Sequence, residues 1–403
     1  MAGRTASLVT VVAAALAACG SPEPTQTDLL YLQSGDAISI VAAGDSRESF
    51  RAVTAVPSHD WSTVVKTEKE GESSVRVVAL DPSTGQELWS QSATGRLAVK
   101  GVSSDGSTAV LEPKGDRYMN NPTRTKFVIA RRNSSTPEVI ELKGNFAPEA
   151  FSTDTQSLFV VQYLPARTPN RYQVRRLDLA TGSVDDVYSV DAELQEAMRG
   201  TARIQAMSPD GTRLYTLYTL KNRGTSYAFI HVLSLDELWA HCVDLPEEFA
   251  TAPQKVSALT VSPDGKHLYV ANGREQILAE VDTEALTVAR TAPVDFANGV
   301  GAHALQSSAD SLYLAGGTKV SVVDLEDLEI DSWWEADGLI TGLQARADDS
   351  RMYVGQTTGV AIFDPSSGMS LGHVDPPGTG TVGRLGPVAR GLDPAREEFV
   401  CAC

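Results

Sequence analysis

The chain contains six histidines, a residue type used both for acid–base catalysis and for metal binding. None belongs to a His-Glu-x-x-His motif, and no other metal-ligand spacing links any two of them. His303 lies on a predicted innermost strand, where its ring would reach a central channel, although a buried structural histidine explains the same pattern. We therefore predict no catalytic constellation, no metal site and no cofactor, and keep His303 as the candidate ligand-binding residue.

The four cysteines do not form a recognisable reactive or metal-binding set. Cys401 and Cys403 are two residues apart on one predicted strand, where a direct disulfide has poor geometry, and Cys242 belongs to a different repeat. The Cys-Ala-Cys segment lacks the histidines and the second cysteine pair of a zinc site. No Gly-x-Ser-x-Gly motif is present, so a serine hydrolase of that type has no support either. We expect Cys242, Cys401 and Cys403 to be structural thiols.

Cys19 has a different context, because it follows a segment typical of a secretory signal. Arg4 is the only cation before a short apolar run over residues 8–18, which is far below the roughly 20 residues needed to span a bilayer. The sequence Leu-Ala-Ala-Cys at 16–19 resembles the lipobox of bacterial lipoproteins. The resemblance implies a signal peptide over 1–18, an acyl chain such as palmitate on Cys19, and anchoring to the cell membrane facing outside the cytoplasm. Residues 19–27 then form a flexible polar tether before a propeller domain over 28–403.

The charge of the chain restricts its partners. Removal of residues 1–18 leaves 33 basic against 51 acidic side chains, a net formal charge of −18. This charge disfavours nucleic acid and anionic lipid surfaces, so we expect contact with the membrane only through the lipid anchor. A protein or a small-molecule ligand remains the expected partner.

Internal repeats predict the fold that must position these residues. Ser-Pro-Asp-Gly occurs at 208–211 and 262–265, each time between two apolar segments, and this sequence suits a type I turn in a hairpin. Degenerate copies begin at residues 58, 103, 152, 307, 346 and 392, and the apolar position after each turn recurs every 40 to 56 residues. A period of this size, built of short strands, predicts one four-stranded blade per repeat in an all-β propeller, with eight blades or, if one copy is spurious, seven.

The two ends of the chain are predicted to complete one blade together. Few residues follow the last turn, and the apolar segments at 29–32 and 37–41 precede the first complete repeat. We expect two strands from each terminus in this closing blade, because closure removes the unpaired edges of an open ring. Residues 191–199 are predicted to form a short helix before the fourth repeat.

Two propeller families resemble this sequence. Residues 268–272, Leu-Tyr-Val-Ala-Asn, are similar to the YVTN-type repeats of bacterial surface and lactonase-like proteins. Residues 79–89 match the A-x-D-x-x-T-G-x-x-x-W docking motif of quinoprotein-like (PQQ-like) propellers, whereas the turns at 178–182 and 364–368 keep the turn and lose the tryptophan. The resemblance covers nearly all of the mature chain as a fold and little of it as a function, since propellers host unrelated activities.

Three functions are compatible with these patterns. A ligand- or protein-binding scaffold displayed on the cell surface agrees best with inserted segments, acidic charge and the lack of a convergent titratable cluster. A lactonase-like enzyme would use histidine and acidic residues at the channel mouth. A quinoprotein-like role is weakened by the single complete docking motif and by the absence of adjacent cysteines. The pair Trp333 and Trp334 would offer a stacking surface, but we expect at least one ring to pack between blades.

Overall fold

The computed structural model describes residues 26–115, 122–189, 198–222, 225–251, 256–296, 302–306, 311–376 and 381–392. These residues form eight mainly antiparallel sheets arranged in a ring, which confirms the predicted eight-bladed β-propeller. Among the described residues no helix is long and apolar enough to span a membrane. Cys19, Cys401, Cys403 and the helix expected at 191–199, apart from its last two residues, lie outside this part of the chain.

The first three strands belong to the blade that closes the ring, and complete four-stranded blades follow in chain order. The opening strands are β1 (Gln26–Ser34), β2 (Ala37–Ala42) and β3 (Glu48–Val53). Blade 1 is β4 (Ala55–Pro57), β5 (Val64–Lys69), β6 (Ser74–Leu80) and β7 (Glu87–Thr94). Blade 2 is β8 (Leu97–Val102), β9 (Thr108–Pro113), β10 (Arg124–Arg131) and β11 (Glu138–Lys143). Blade 3 is β12 (Asn145–Phe151), β13 (Ser157–Leu164), β14 (Arg171–Asp178) and β15 (Val184–Asp186).

Blade 4 carries an additional outer strand, because β16 pairs in parallel with β20. This blade is β16 (Tyr188–Ser189), β17 (Thr201–Met207), β18 (Arg213–Asn222), β19 (Thr225–Ser234) and β20 (Trp239–Leu245), followed by a 3-10 turn at Glu247–Thr251. Blade 5 is β21 (Ser257–Val261), β22 (His267–Asn272), β23 (Ile277–Asp282) and β24 (Thr287–Pro293). Blade 6 is β25 (Ala302–Gln306), β26 (Ser311–Gly316), β27 (Lys319–Asp324) and β28 (Ile330–Glu335). Blade 7 is β29 (Ile340–Ala345), β30 (Met352–Gln356), β31 (Gly359–Phe363) and β32 (Ser370–Val374).

Blade 8 is shared by the two ends of the chain, as predicted, but the division of its strands differs. Strand β1 pairs directly with β33 (Arg384–Leu385) and β34 (Ala389–Leu392), and the sheet continues outward through β2 and β3. The N-terminal segment therefore supplies three strands and the C-terminal segment only the innermost position. The expectation of two strands from each end is wrong, because β1 occupies the place that residues 397–400 were expected to fill. Those residues lie outside the described part of the chain.

The recurring turns explain why the blade sequences look alike. In blade 4 the Ser208 hydroxyl donates to Asp210 Oδ1 at 2.5 Å, and its oxygen accepts the Arg213 amide at 2.9 Å. Gly211 takes φ +72°, a left-handed conformation that closes the hairpin. The same Ser–Asp bond occurs in the turns that begin at residues 58, 103, 152 and 262. We call the face that carries these turns the turn face, and the other the opposite face.

The hydrophobic core lies between adjacent blades rather than at the centre of the ring. Phe127 of blade 2 and Phe146 of blade 3 belong to one buried cluster, and similar clusters join the other neighbours. The second strand of a blade is covered on both faces, so its sequence is a continuous apolar run rather than an alternating one. Strand β22 illustrates this, since five of its six residues are buried.

Trp89, at the end of residues 79–89, packs between blades 1 and 2. The Trp89 indole is 6 % exposed, and its Nε1 donates to the Gly106 carbonyl oxygen of the blade 2 turn at 3.0 Å. One side chain thus contributes both apolar burial and a directional bond to the packing of two blades.

Candidate functional site

A cavity of about 440 Å³ opens between the outer strands of blades 3 and 4, and we call it the interblade cavity. Its walls come from β14, from β16 and the residues beside it, and from the β19–β20 hairpin. Among its lining residues are Gln173, Tyr188, Ser189, Met198, His231 and Cys242. The volume falls within the usual range for small-molecule sites.

His231 is the buried polar group of this cavity. Its side chain is 6 % exposed, and no other described residue hydrogen-bonds to the ring, which contacts Tyr218 edge-on at 6.3 Å between ring centroids. Burial, and then the nearby His241, lower the pKa of His231 to about 4. The imidazole is therefore neutral at physiological pH, and it offers one N–H donor and one acceptor nitrogen.

A thiol lies directly across the hairpin from His231. Cys242 is the cross-strand partner of His231 in the β19–β20 register, so both side chains project from the same face of the sheet. Cys242 is half-buried and belongs to the wall of the interblade cavity. The wall is thus polar without carrying charge at this point.

Stacked aromatic rings pack beside the residues of the cavity wall. Tyr218 stacks on Tyr172 with ring centroids 5.0 Å apart and on Phe229 at 5.3 Å. The hydroxyls of Tyr172 and Tyr227 both donate to the Arg199 carbonyl oxygen, at 3.3 and 3.2 Å. Burial raises the pKa of both Tyr172 and Tyr218, so neither supplies a phenolate. Because Tyr218 also contacts His231, this aromatic cluster packs against the cavity wall.

The acidic residue at the cavity is neutralised locally. The Asp186 carboxylate lies 3.0 Å from the Arg175 guanidinium and accepts a hydrogen bond from the Gln173 amide at 3.0 Å. Within the described residues, no group of three or more His, Cys, Asp or Glu side chains is arranged to hold a metal ion. The interblade cavity therefore presents hydrogen-bonding groups of low net charge and an exposed ring, Tyr188, at its edge.

A second perturbed group lies deeper in the same interface. Glu149, on the innermost strand of blade 3, accepts a hydrogen bond from the Gln205 amide of blade 4 at 2.6 Å. Burial raises the pKa of Glu149 to about 7, although the Gln205 bond opposes the shift. Blades 3 and 4 thus meet through a carboxyl group that titrates near neutrality.

His303 lies on innermost strand β25, as the sequence predicted. Burial lowers its pKa, and it does not line the interblade cavity. The channel is also narrow at the turn face: a Cβ atom on Gly211 of blade 4 would lie 3.3 Å from Ser104 Oγ of blade 2 and 3.5 Å from His59 Cδ2 of blade 1. His303 therefore stays a candidate ligand-binding residue of the central channel, which is separate from the interblade cavity.

The tryptophan pair divides between packing and exposure. Trp334 is 6 % exposed and stacks on Phe363 of blade 7 at 4.7 Å, as expected for at least one ring. Trp333 is 59 % exposed, and the Lys319 ammonium lies 5.4 Å from its ring centroid. No other aromatic ring stacks on Trp333 among the residues described.

Sequence reasoning did not identify the interblade cavity. His231 and Cys242 are separated by a hairpin, and only the strand register brings them face to face. The available signal was indirect: the steps that end at the fourth and fifth repeats are the longest in the chain, and aromatic residues are concentrated in the third and fourth repeats. Neither observation predicts which side chains share a cavity.

Comparisons with known proteins support the fold alone. No protein-family model and no curated protein sequence matches the chain. Among solved structures, apo AztD from Citrobacter koseri is similar with a TM-score of 0.56 and 12 % identity, over 91 % of this chain and 98 % of that one. The dihydro-heme d1 dehydrogenase NirN, in complex with DHE, has a TM-score of 0.54 and 12 % identity, over 90 % of this chain and 75 % of that one. At such identity the likeness shows a shared propeller architecture.

Proposed function

We propose that this chain is a lipid-anchored, extracytoplasmic β-propeller that binds a small uncharged molecule in the interblade cavity. The observation that supports this proposal concerns His231, which lies on the wall of a cavity of about 440 Å³. Its imidazole is neutral and 6 % exposed, and no other described residue hydrogen-bonds to it. Because His231 lines the cavity, a ligand can replace solvent at its ring, and such a hydrogen bond contributes about 1 kcal/mol.

The chemistry of the wall defines the ligand class. Among the described lining residues the charged side chain is Asp186, whose carboxylate is held by Arg175, so these residues offer no free counter-ion to a charged ligand. A ligand with hydroxyl or ring-nitrogen groups matches the donor and acceptor of His231, and an apolar face matches Tyr188. Sugars, alcohols and uncharged heteroaromatics are the classes to test.

Ligand-observed NMR with the full mature protein tests the binding proposal. Hits from an uncharged fragment set should lose at least about ten-fold in affinity in His231→Phe, since one buried hydrogen bond is worth roughly 1.5 kcal/mol. His373→Phe is the matched control, because His373 lies on the exposed outer strand of blade 7. Hits that bind His231→Phe as tightly as the parent would overturn the assignment of the cavity.

The anchor is tested separately. Cys19→Ser should release the protein into the medium or leave it as an uncleaved precursor, because the lipobox cysteine is the proposed acylation site. Retention of the Cys19→Ser protein in membranes after carbonate or high-salt washing would contradict the anchor.

A further inference from the structure

We infer that the turn face of the propeller is directed toward the membrane and the opposite face toward the surrounding medium. This inference rests on the proposed lipid anchor at Cys19 and extends it to the orientation of the whole ring.

The described chain begins at the turn face. Gln26, the first residue of β1, pairs with Leu392 at the end of the innermost strand of blade 8. Two residues later, Asp28 contacts Arg346, which belongs to the recurring turn of blade 7, with Nε and Oδ1 3.4 Å apart. The chain therefore enters the fold at the level of the turns.

The connection to the acylated residue is short. Six residues lie between Cys19 and Gln26, and the seven extended residue steps that join them span at most about 25 Å. The strands of a blade are about 20 Å long, so a tether that leaves the turn face reaches the opposite face only when it is almost fully extended along a blade, whereas the turn face needs no such extension. The tether length therefore favours the turn face, with the blade edge beyond β3 as the nearer alternative.

The charge of the turn face opposes its adsorption to an anionic membrane. Blades 1 to 5 and blade 7 each place an exposed aspartate in the first turn of the blade: Asp60, Asp105, Asp154, Asp210, Asp264 and Asp348. Local hydrogen bonds from neighbouring serine and amide groups outweigh desolvation and lower the pKa of Asp60, Asp105 and Asp210. A ring of carboxylates is repelled by anionic headgroups within a Debye length of about 8 Å, so the turn face stays near the surface without adhering.

The consequence is that the opposite face is available to macromolecular partners from the medium. It carries the hairpin between β13 and β14 and the 3-10 turn at Glu247–Thr251 that precedes blade 5. The interblade cavity opens at the outer edge of the ring, so either orientation of the faces leaves it accessible to a small molecule.

Fluorescence quenching by membrane-bound probes tests the orientation. The mature lipidated protein, with Cys242, Cys401 and Cys403 replaced by serine, receives one new cysteine for a fluorophore: Gln86→Cys, Ser73→Cys or Arg51→Cys. Gln86 and Ser73 are exposed ends of the same blade 1, on the turn face and the opposite face, and Arg51 lies on the outermost strand of blade 8. Each protein is bound to phosphatidylcholine vesicles that contain a nitroxide-headgroup lipid.

The expected order of quenching is Gln86, then Arg51, then Ser73, with about three-fold or more between the two faces because a strand length of about 20 Å separates them. Strongest quenching at Arg51 would show that the ring lies on its edge, and strongest or equal quenching at Ser73 would show the reverse face; either result overturns the inference. Cys19→Ser in each background should abolish quenching. A lipidated protein that does not bind vesicles at all would refute the anchor, which is distinguishable from a wrong orientation.

Discussion

Asp28 and Tyr353 are 325 residues apart in the chain, and the Tyr353 hydroxyl donates a hydrogen bond to Oδ2 of Asp28. The Asp28 carboxylate is 4 % exposed and is also approached by Arg346 at 3.4 Å and Arg351 at 3.5 Å. A buried carboxylate on the first strand is thus compensated by groups of blade 7, and the ring is closed by side chains as well as by the β1 hydrogen bonds.

Removal of the Asp28 carboxylate should destabilise the ring. Asp28→Ala leaves the Tyr353 hydroxyl and two guanidinium groups without their partner, so we expect a loss of about 3 kcal/mol in the free energy of unfolding. Urea denaturation of the mature protein measures this loss. Asp331→Ala, at an exposed position on β28, should change stability by less than about 0.5 kcal/mol, and equal effects of the two substitutions would contradict the closing role of Asp28.

Truncation tests whether closure of blade 8 requires the C-terminal strands β33 and β34. A chain that ends before Arg384 lacks β33 and β34 and exposes the edge of β1, so its thermal transition should fall by ten degrees or more or disappear, since about 2 kcal/mol already shifts Tm by several degrees. A chain that ends after Leu392 keeps every described hydrogen bond of blade 8, so it separates the contribution of β33 and β34 from that of residues 393–403. Indistinguishable melting of the shorter chain and the parent would mean that closure does not need the C-terminal strands.

The Trp89 indole bond can be tested with a conservative substitution. Trp89→Phe keeps a ring between blades 1 and 2 but leaves the Gly106 carbonyl without its donor, and we expect a loss of roughly 1–2 kcal/mol in unfolding free energy. Trp333→Phe is the control of the same chemistry at an exposed site. If Trp333→Phe lowered the unfolding free energy as much as Trp89→Phe, loss of the bond between Trp89 and Gly106 could not be the cause.

Acid should weaken the fold through His231. Its folded pKa of about 4 lies below the usual 6.5, so the unfolded chain binds more protons between these values and stability falls as pH drops from 6.5 toward 4. The full shift corresponds to about 3 kcal/mol. Denaturation at a series of pH values should show this dependence of unfolding free energy on pH in the parent and in His373→Phe. The dependence should be weaker in His231→Phe. If it were unchanged in His231→Phe, groups other than His231 would take up the protons.

A rise in pH should also weaken the fold, in this case through Glu149. Its folded pKa of about 7 lies above the usual 4.5, so its contribution to stability is complete below pH 4.5 and is lost as pH rises through 7. Glu149→Gln keeps a bond to Gln205 without ionising and should be more stable than the parent at pH 8 by roughly 2 kcal/mol, allowing for the partial exposure of the group. A parent and variant that keep the same stability difference from pH 4 to 8 would contradict this titration.

The sequence by itself determined the all-β class, the blade-sized repeat with eight or seven copies, and the participation of both termini in closure. Each of these depends on local patterns: Ser-x-Asp-Gly turns that satisfy their own hydrogen bonds, and apolar runs of strand length that recur with a blade-sized period. Local chemistry repeats along the chain, and therefore it can be recognised without the fold.

Only the tertiary structure decided how blade 8 is divided and where the interblade cavity lies. Strand β1 could pair with any available edge, and its partner is chosen by the closing geometry and by the Asp28 contacts with blade 7, which have no local signature. His231 and Cys242 come together through the register of β19 and β20, and the aromatic cluster packed against His231 combines Tyr172 of blade 3 with Tyr218 of blade 4. Burial of His231, and with it the lowered pKa, is a property of packed neighbours from two blades, so no window of the sequence contains it.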